Sequence, residues 1–158
     1  MELAQQAEIK RQELCLGLIS VSEVIQWADL MLESTPEYND DLVNVSLAKH
    51  NCAQDIASLL GHLAAGSDEF DAMRVVLGSL YKFLLIDNSQ TRNFTRALER
   101  FWIDHNYELP EDMQFIAGLD DVFGLAEDGI YGTRKEALDD LLQSLSTFNK
   151  IANNRAIE

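Results

Sequence analysis

The sequence predicts an all-α fold, and three observations support this prediction. Apolar residues recur at helical spacing through almost the whole chain, helix-start signals follow one another at regular intervals, and 158 residues include only two prolines. No stretch of five or more residues alternates between apolar and polar side chains with the β-branched enrichment of a strand. We therefore expect a single domain over residues 1–158, with about seven or eight helices packed as antiparallel pairs in a bundle or a short helical array.

Capping residues assign the helices of the N-terminal half. Residues 1–18 predict a loosely packed N-terminal helix, because their apolar face is mixed with polar side chains. Ser20 and Glu23 have the spacing of a capping box and begin the second helix. Pro36 is expected at the first position of a third helix. Asn51 is expected to cap a fourth.

The C-terminal half is assigned in the same way. Ser67 is expected to cap a long helix that is apolar on more than one side, which predicts a central position. Another amphipathic helix follows. Pro110 then opens a stretch that four glycines interrupt, so part of it is predicted to be loop. Thr133 and Glu136 form a second capping-box pattern for the last helix, and residues 152–158 are expected to fray.

The charge of the chain is strongly acidic and unevenly distributed. Twelve Lys and Arg oppose 27 Asp and Glu, a formal net charge of −15. Between Asp104 and Asp140 there are eleven acidic and two basic residues, a local net charge of −9. Such a field repels nucleic acid and acidic membranes and attracts cationic partners. We expect no nucleic acid and no membrane among the partners.

The acidic region has two interpretations at this point. It is either a binding surface or a solvated face that serves solubility, and charge alone does not separate the two. Arg92, Arg96 and Arg100 form one stripe on a predicted helix. We expect these arginines to pair with carboxylates of neighbouring helices, or with Glu99 and Asp104, rather than to bind RNA.

Targeting signals and cysteines point to the cytoplasm. The N-terminus lacks the basic and apolar stretches of a secretory signal, and the densest apolar run, residues 83–86, is far shorter than a membrane span. In a reducing compartment, Cys15 and Cys52 are expected to be small buried residues rather than a disulfide.

No motif in the sequence indicates catalysis, a metal or a cofactor. His50, Cys52 and His62 lack the spacing of a zinc or di-iron ligand set. The sequence contains no nucleophile elbow and no phosphate-binding glycine loop. We expect no enzyme activity. A further alternative is an enzyme whose catalytic residues are far apart in the sequence, with His50, His62 or His105 in the site.

One segment resembles a known family. Ser20, Glu23, Trp27 and Ala28 form an S-x-x-E-x-x-x-W-A helix start. This pattern resembles the opening of small, all-helical bacterial immunity proteins of contact-dependent growth inhibition and related polymorphic toxin systems. It covers about the first third of the chain, and the remainder is similar in length, acidity and helical content. The resemblance implies a non-catalytic immunity protein that binds a cognate basic toxin domain, a nuclease, one-to-one and blocks its active site.

An acidic helical surface would complement the cationic cleft of a nuclease. The residues predicted to bind the partner are acids of the 104–128 stretch, with two tyrosines as aromatic anchors: Asp104, Tyr107, Glu108, Glu111, Asp112, Asp120, Asp121, Glu127, Asp128 and Tyr131. The alternative is a helical adaptor or regulatory subunit that binds a peptide or protein in an apolar groove. Its affinity would respond little to salt.

Overall fold

Eight α-helices and one 3-10 helix are found in residues 1–151, which are the residues that the computed structural model describes. The α-helices are α1 (Leu3–Leu16), α2 (Val21–Ser34), α3 (Asp40–Leu47), α4 (Ala53–Leu63), α5 (Glu69–Ile86), α6 (Thr91–Asp104), α7 (Leu119–Glu127) and α8 (Arg134–Ser146). The 3-10 helix, Glu111–Ile116, lies between α6 and α7 in the chain. No strand occurs in residues 1–151, and the all-α prediction is confirmed. Antiparallel pairing stays a prediction, and the tail predicted to fray, residues 152–158, lies outside the described residues.

Both predicted capping boxes are present. At the start of α2, Ser20 Oγ accepts the Glu23 N–H at 3.3 Å, and Glu23 Oε2 accepts the Ser20 N–H at 2.7 Å. At the start of α8, Thr133 Oγ1 accepts the Glu136 N–H at 3.2 Å, and Glu136 Oε2 accepts the Thr133 N–H at 2.9 Å. Each pair satisfies two backbone donors that a helix end leaves unpaired.

The predicted starts of three other helices are wrong. Helix α3 begins at Asp40 and not at Pro36, because Asn39 Oδ1 accepts the Leu42 N–H at 3.0 Å and caps the helix later in the chain. Helix α4 has Cys52 as its cap rather than Asn51.

Helix α5 begins after Asp68 rather than after Ser67. Asp68 Oδ1 accepts the Asp71 N–H at 2.9 Å, so this carboxylate occupies the position expected of the serine. An ionised carboxylate is a strong acceptor at a helix N-terminus, where the backbone dipoles favour negative charge.

Packing divides the chain into two compact units, with the boundary between Val76 and Leu77 inside α5. The first unit contains α1 to α4 and the beginning of α5. The second contains the end of α5, α6, the 3-10 helix, α7 and α8. The single domain over residues 1–158 stays a prediction.

In the first unit, α1 packs on α4, α2 packs on α3, and α3 packs on α4. Its apolar core is formed by Ala7, Leu14, Val24, Ala28, Leu42, Val45, Ala48, Ile56, Leu60, Leu63 and Ala64. Polar contacts also hold α1 in place: the side-chain amide of Gln5 donates to Asp68 O and accepts the Asp68 N–H, both at 3.1 Å. The expectation of loose packing for residues 1–18 is therefore wrong, because α1 supplies core residues and contacts the start of α5.

The two cysteines are exposed, which corrects the expectation that they are buried. Cys15 lies on the outward side of α1, between the buried Leu14 and Leu16. Cys52 is exposed because it occupies the cap position before α4. Neither forms a disulfide.

In the second unit, α6 packs on the 3-10 helix and on α7, and α7 packs on α8. Gly118 precedes α7 with a φ of 74°, a left-handed conformation that glycine adopts without a steric penalty. The stretch that begins at Pro110 is thus a 3-10 helix and a short α-helix joined at a glycine. Within residues 1–151, no helix combines the length and the apolar character needed to cross a bilayer.

Candidate functional site

The ten residues predicted to bind a partner all lie in the second unit. They lie at the ends of its helices or in the turns between them. Asp104 is the last residue of α6, and Tyr107 and Glu108 come after it. Glu111 and Asp112 begin the 3-10 helix, Asp120 and Asp121 lie at the start of α7, Glu127 and Asp128 at its end, and Tyr131 in the turn before α8. All of them except Asp120 are exposed. The predicted surface is therefore largely in contact with solvent.

Two of the predicted acids are held by an internal cation. Arg92 of α6 lies 3.1 Å from Asp120 Oδ1 and 3.4 Å from Glu127 Oε2, and its guanidinium also donates to Asp120 O. Thr95 Oγ1 donates to Asp120 Oδ1 at 2.8 Å. The Asp120 side chain is only 16% exposed. It ties α6 to α7, and this structural role argues against a part in partner binding.

The arginine stripe divides into two kinds of residue. Arg92 pairs with carboxylates of a neighbouring helix, as expected. Arg96 and Arg100 are exposed and form no ion pair with the part of the chain that the structure describes, so the expected pairing with Glu99 or Asp104 is absent there.

Tyr107 is exposed, but its backbone is unusual. Asn106 and Tyr107 both have positive φ, 55° and 64°, immediately after α6. The Tyr107 N–H donates to Trp102 O at 3.0 Å, and its ring meets the Trp102 ring edge-on at 5.0 Å. These contacts fix the direction in which the tyrosine leaves the helix end.

A groove lies between α7 and α8, and we call it the α7–α8 groove. Its volume is about 610 Å³, within the usual range of binding pockets. Apolar side chains, a tyrosine and three acids line it, together with the residues of the turn: Val122, Ala126, Tyr131, Gly132, Thr133, Glu136, Ala137, Asp139 and Asp140.

The turn between the helices holds Tyr131 at the groove. Gly129, with a φ of 67°, ends α7: its N–H donates to Ala126 O at 3.2 Å and the Ile130 N–H donates to Leu125 O at 2.9 Å. This pair of bonds is a Schellman motif, which terminates a helix with a glycine in the left-handed conformation. The Tyr131 N–H donates to Leu125 O as well, at 3.2 Å.

The α8 side of the groove is an acidic face. Glu136, Asp139 and Asp140 recur at i, i+3 and i+4 and are all exposed. Glu136 is engaged in the capping box, and Asp139 Oδ2 lies 2.8 Å from Lys135 Nζ, a contact that raises the pKa of Lys135. The Asp140 carboxylate has no partner among residues 1–151.

The α7 side of the groove is apolar. Leu119 and Phe123 are buried. Val122, which is 47% exposed, and Ala126 line the groove from α7, whereas Leu125, which is 39% exposed, is not part of the lining. Ile130 and Tyr131, in the turn, are 70% and 76% exposed. Four large apolar side chains thus face solvent within ten residues.

The set of partner-binding residues predicted from the sequence includes Tyr131 but not the three acids of α8. Their i, i+3, i+4 spacing was the available signal, since like charges at this spacing repel one another and destabilise an exposed helix. The sequence does not show that the acidic face of α8 lies next to the exposed side of α7, because this depends on how the two helices pack.

The groove offers groups that bind a cation and little that performs chemistry. Its lining contains no histidine, cysteine or serine, and the Thr133 hydroxyl accepts the capping hydrogen bond. His50 and His62 are exposed in the first unit. His105 Nδ1 lies 2.8 Å from Phe101 O in its own helix turn. No group of three or more His, Cys, Asp or Glu in residues 1–151 is arranged to hold a metal ion.

These observations define a surface that combines exposed carboxylates with exposed apolar side chains. Comparison of the chain with protein-family models, with curated proteins and with solved structures finds no match.

Proposed function

We propose that the protein is a cytoplasmic, non-catalytic immunity protein. It binds a cognate basic toxin domain one-to-one through the acidic surface of the second unit and blocks the active site of the toxin. The observation that carries this proposal is the local net charge of −9 over residues 104–140, of which most carboxylates are exposed. The helix-start pattern at Ser20 to Ala28, which resembles that of immunity proteins, supports it.

A nuclease is the proposed class of toxin, because an enzyme that acts on nucleic acid presents a cationic cleft to phosphate. An opposing acidic surface increases the rate of association and prevents the substrate from entering. Inhibition of this kind requires binding and no chemistry from the inhibitor.

A second candidate is a helical adaptor that binds a peptide or protein in an apolar groove. The exposed Val122 and Tyr131, which line the α7–α8 groove together with Ala126, favour it. The two candidates differ in their response to salt, because the binding of an apolar segment depends little on ionic strength, whereas electrostatic association weakens as salt screens the charges.

The direct test is co-purification with the product of the adjacent upstream gene. Tagged protein is co-expressed with that product, washed across a salt series and assayed for inhibition of the toxicity of the partner. We expect a basic domain that is retained at low salt and inhibited at about one-to-one. A neighbouring product that is neither bound nor inhibited would contradict the immunity function.

Charge reversal tests the surface. We expect Glu108→Lys, Glu111→Lys and Asp121→Lys together to slow association with the basic partner about 100-fold at low salt, because steering raises association rates by factors of 10 to 1000. The matched control reverses Glu33, Glu37 and Asp41, three exposed acids of the first unit, and makes the same change in net charge. Equal slowing by both triple variants would show that only net charge matters and would remove the second unit as the specific surface.

A further inference from the structure

We infer that the α7–α8 groove seats a cationic amphipathic helix of the protein partner. This inference rests on the proposed function for the presence of a basic protein partner, and it adds which element of the partner binds and where. The groove accounts for two features that charge steering does not require: exposed apolar residues on α7 and an acidic face on α8 directly across from them.

The α7 side supplies an apolar contact strip. Val122 and Ala126 lie one turn apart on the side of α7 that lines the groove, and the exposed ring of Tyr131 follows the Schellman turn. Burying these apolar side chains stabilises a complex in proportion to the apolar area that is removed from water. The partner must therefore present apolar side chains along one face.

The α8 side supplies complementary charge. Asp139 and Asp140 lie beside the strip, and the Asp140 carboxylate has no partner within the described residues. A lysine or arginine of the partner would pair with it and lay its methylene chain along Tyr131 and Ala137. An apolar stripe flanked by basic side chains is the pattern of a cationic amphipathic helix, and a groove between two packed helices is the usual seat of such a segment.

Nucleic acid and a simple polycation fit the groove less well. The carboxylates repel phosphate, and a polycation without apolar side chains would leave Val122 and the Tyr131 ring in water. The test uses three synthetic peptides about as long as α8, which has 13 residues. One is an amphipathic Leu/Lys helix, one has the same composition in an order that spreads Leu around the helix, and one is all Lys.

Binding to the full chain is measured by titration calorimetry and by amide chemical shifts. We expect the amphipathic peptide to bind about tenfold more tightly than the other two and to shift amides of Val122, Tyr131 and Asp140. Equal affinity for all three peptides, or shifts confined to other residues, would overturn the inference. If only the all-Lys peptide binds tightly, the groove binds polycations, and this result would also overturn the inference.

Two groove variants and a control sharpen the test. The double variant Asp139→Asn, Asp140→Asn and the single variant Tyr131→Ala should each weaken the amphipathic peptide about tenfold. Glu33→Gln with Glu37→Gln removes the same charge in the first unit, outside the residues proposed to bind the partner, and should change the affinity less than twofold. All these side chains are exposed, so the variants are expected to fold, and far-UV circular dichroism verifies it. Equal weakening by the control would overturn the inference.

The same variants separate this inference from the proposed function. Full inhibition of the basic partner by the Asp139→Asn, Asp140→Asn variant, without loss of affinity, would overturn the groove assignment and leave the immunity function intact. Specific binding of the amphipathic peptide in the groove, with no inhibition of any basic partner, would contradict the immunity function and support the groove.

Discussion

Arg92 is the side chain that organises the acidic part of the second unit. Its guanidinium contacts Asp120 and Glu127 of α7, so two acids of the 104–140 stretch share one positive charge that lies outside that stretch in the sequence. The guanidinium also lies over Gly124, where a Cβ atom would be 3.6 Å from Arg92 Nη2. A side chain larger than alanine at position 124 would push the guanidinium away.

Loss of Arg92 should destabilise the protein. We expect Arg92→Met to lower the free energy of unfolding by about 2 kcal/mol, because it leaves the mostly buried Asp120 carboxylate without its cation. Urea denaturation followed by circular dichroism measures the change. Arg96→Met, one turn further along α6 at an exposed position, is the control and should change stability by less than about 0.5 kcal/mol. Similar losses in both variants would show that the ion pair with α7 contributes nothing specific.

The backbone conformation of Asn106 lowers the stability of the folded protein. Its φ of 55° is in the left-handed region, which non-glycine residues adopt at a steric penalty. We expect Asn106→Gly to raise the free energy of unfolding by up to about 1 kcal/mol, and Asn106→Ala to lower it by about 1 kcal/mol, since asparagine tolerates this conformation better than alanine does. Opposite signs in the denaturation midpoints of the two variants are the expected result. If both variants shift the midpoint in the same direction, the end of α6 has another conformation.

At the scale of the element, capping chemistry decides how well the sequence alone predicts a helix start. Ser20 and Thr133 were predicted correctly because each capping box is a local pattern of four residues. Pro36 was not the start of α3, since proline at a first helical position competes with a better cap, Asn39, a few residues later.

Contacts between helices set the limit of sequence reasoning at the candidate site. Arg92 and Asp120 are 28 residues apart, and nothing in the sequence pairs them. The α7–α8 groove likewise depends on which side of α7 packs inward, and α7 is apolar on both sides. The sequence composition predicts that residues 104–140 are acidic, but it does not predict which of these acids form ion pairs and which are exposed.

The capping box of α2 should give a pH-dependent contribution to stability. Hydrogen bonds from the Ser20 N–H and then from its hydroxyl lower the pKa of Glu23 below its ordinary value of about 4.3. The unfolded chain therefore binds a proton at higher pH than the folded chain does. This contribution is fully present above about pH 4.3 and is lost as the pH falls through the lower pKa of the folded state.

Glu23→Gln tests that contribution. The variant should be less stable than the parent protein at pH 7, and the difference should shrink as the pH falls below the ordinary glutamate value. Thermal unfolding at pH 7 and near pH 3.5 measures it, with Glu33→Gln, an exposed acid near the end of the same helix, as the control. A constant difference across this range would mean that the charge of Glu23 does not support the cap.

At the scale of the whole molecule, the net charge of −15 opposes compactness. Like charges on a folded surface repel one another, and salt reduces this repulsion, with a screening length of about 10 Å at 0.1 M. The same charge that steers a basic partner therefore acts against the folded state when no partner is bound.

Added salt should stabilise the free protein. We expect the Tm to rise by about 3 °C between 20 and 500 mM NaCl, equivalent to about 1 kcal/mol for a chain of this length. The Glu108→Lys, Glu111→Lys, Asp121→Lys variant changes the net charge from −15 to −9, two charges at each of three positions, and its Tm should respond less. A Tm that falls with added salt would mean that attractive ion pairs outweigh repulsion in the free protein.

The acidic face of α8 affects how the protein would respond to random mutation and selection. Glu136 and Asp140 repel each other at i and i+4, so replacing Asp140 with Lys would turn that repulsion into a favourable pair worth about 0.3–0.5 kcal/mol. A library selected only for thermal stability should enrich lysine at position 140, whereas one selected for partner binding should deplete it. Opposite preferences at one position would mark a residue retained for binding at the expense of stability.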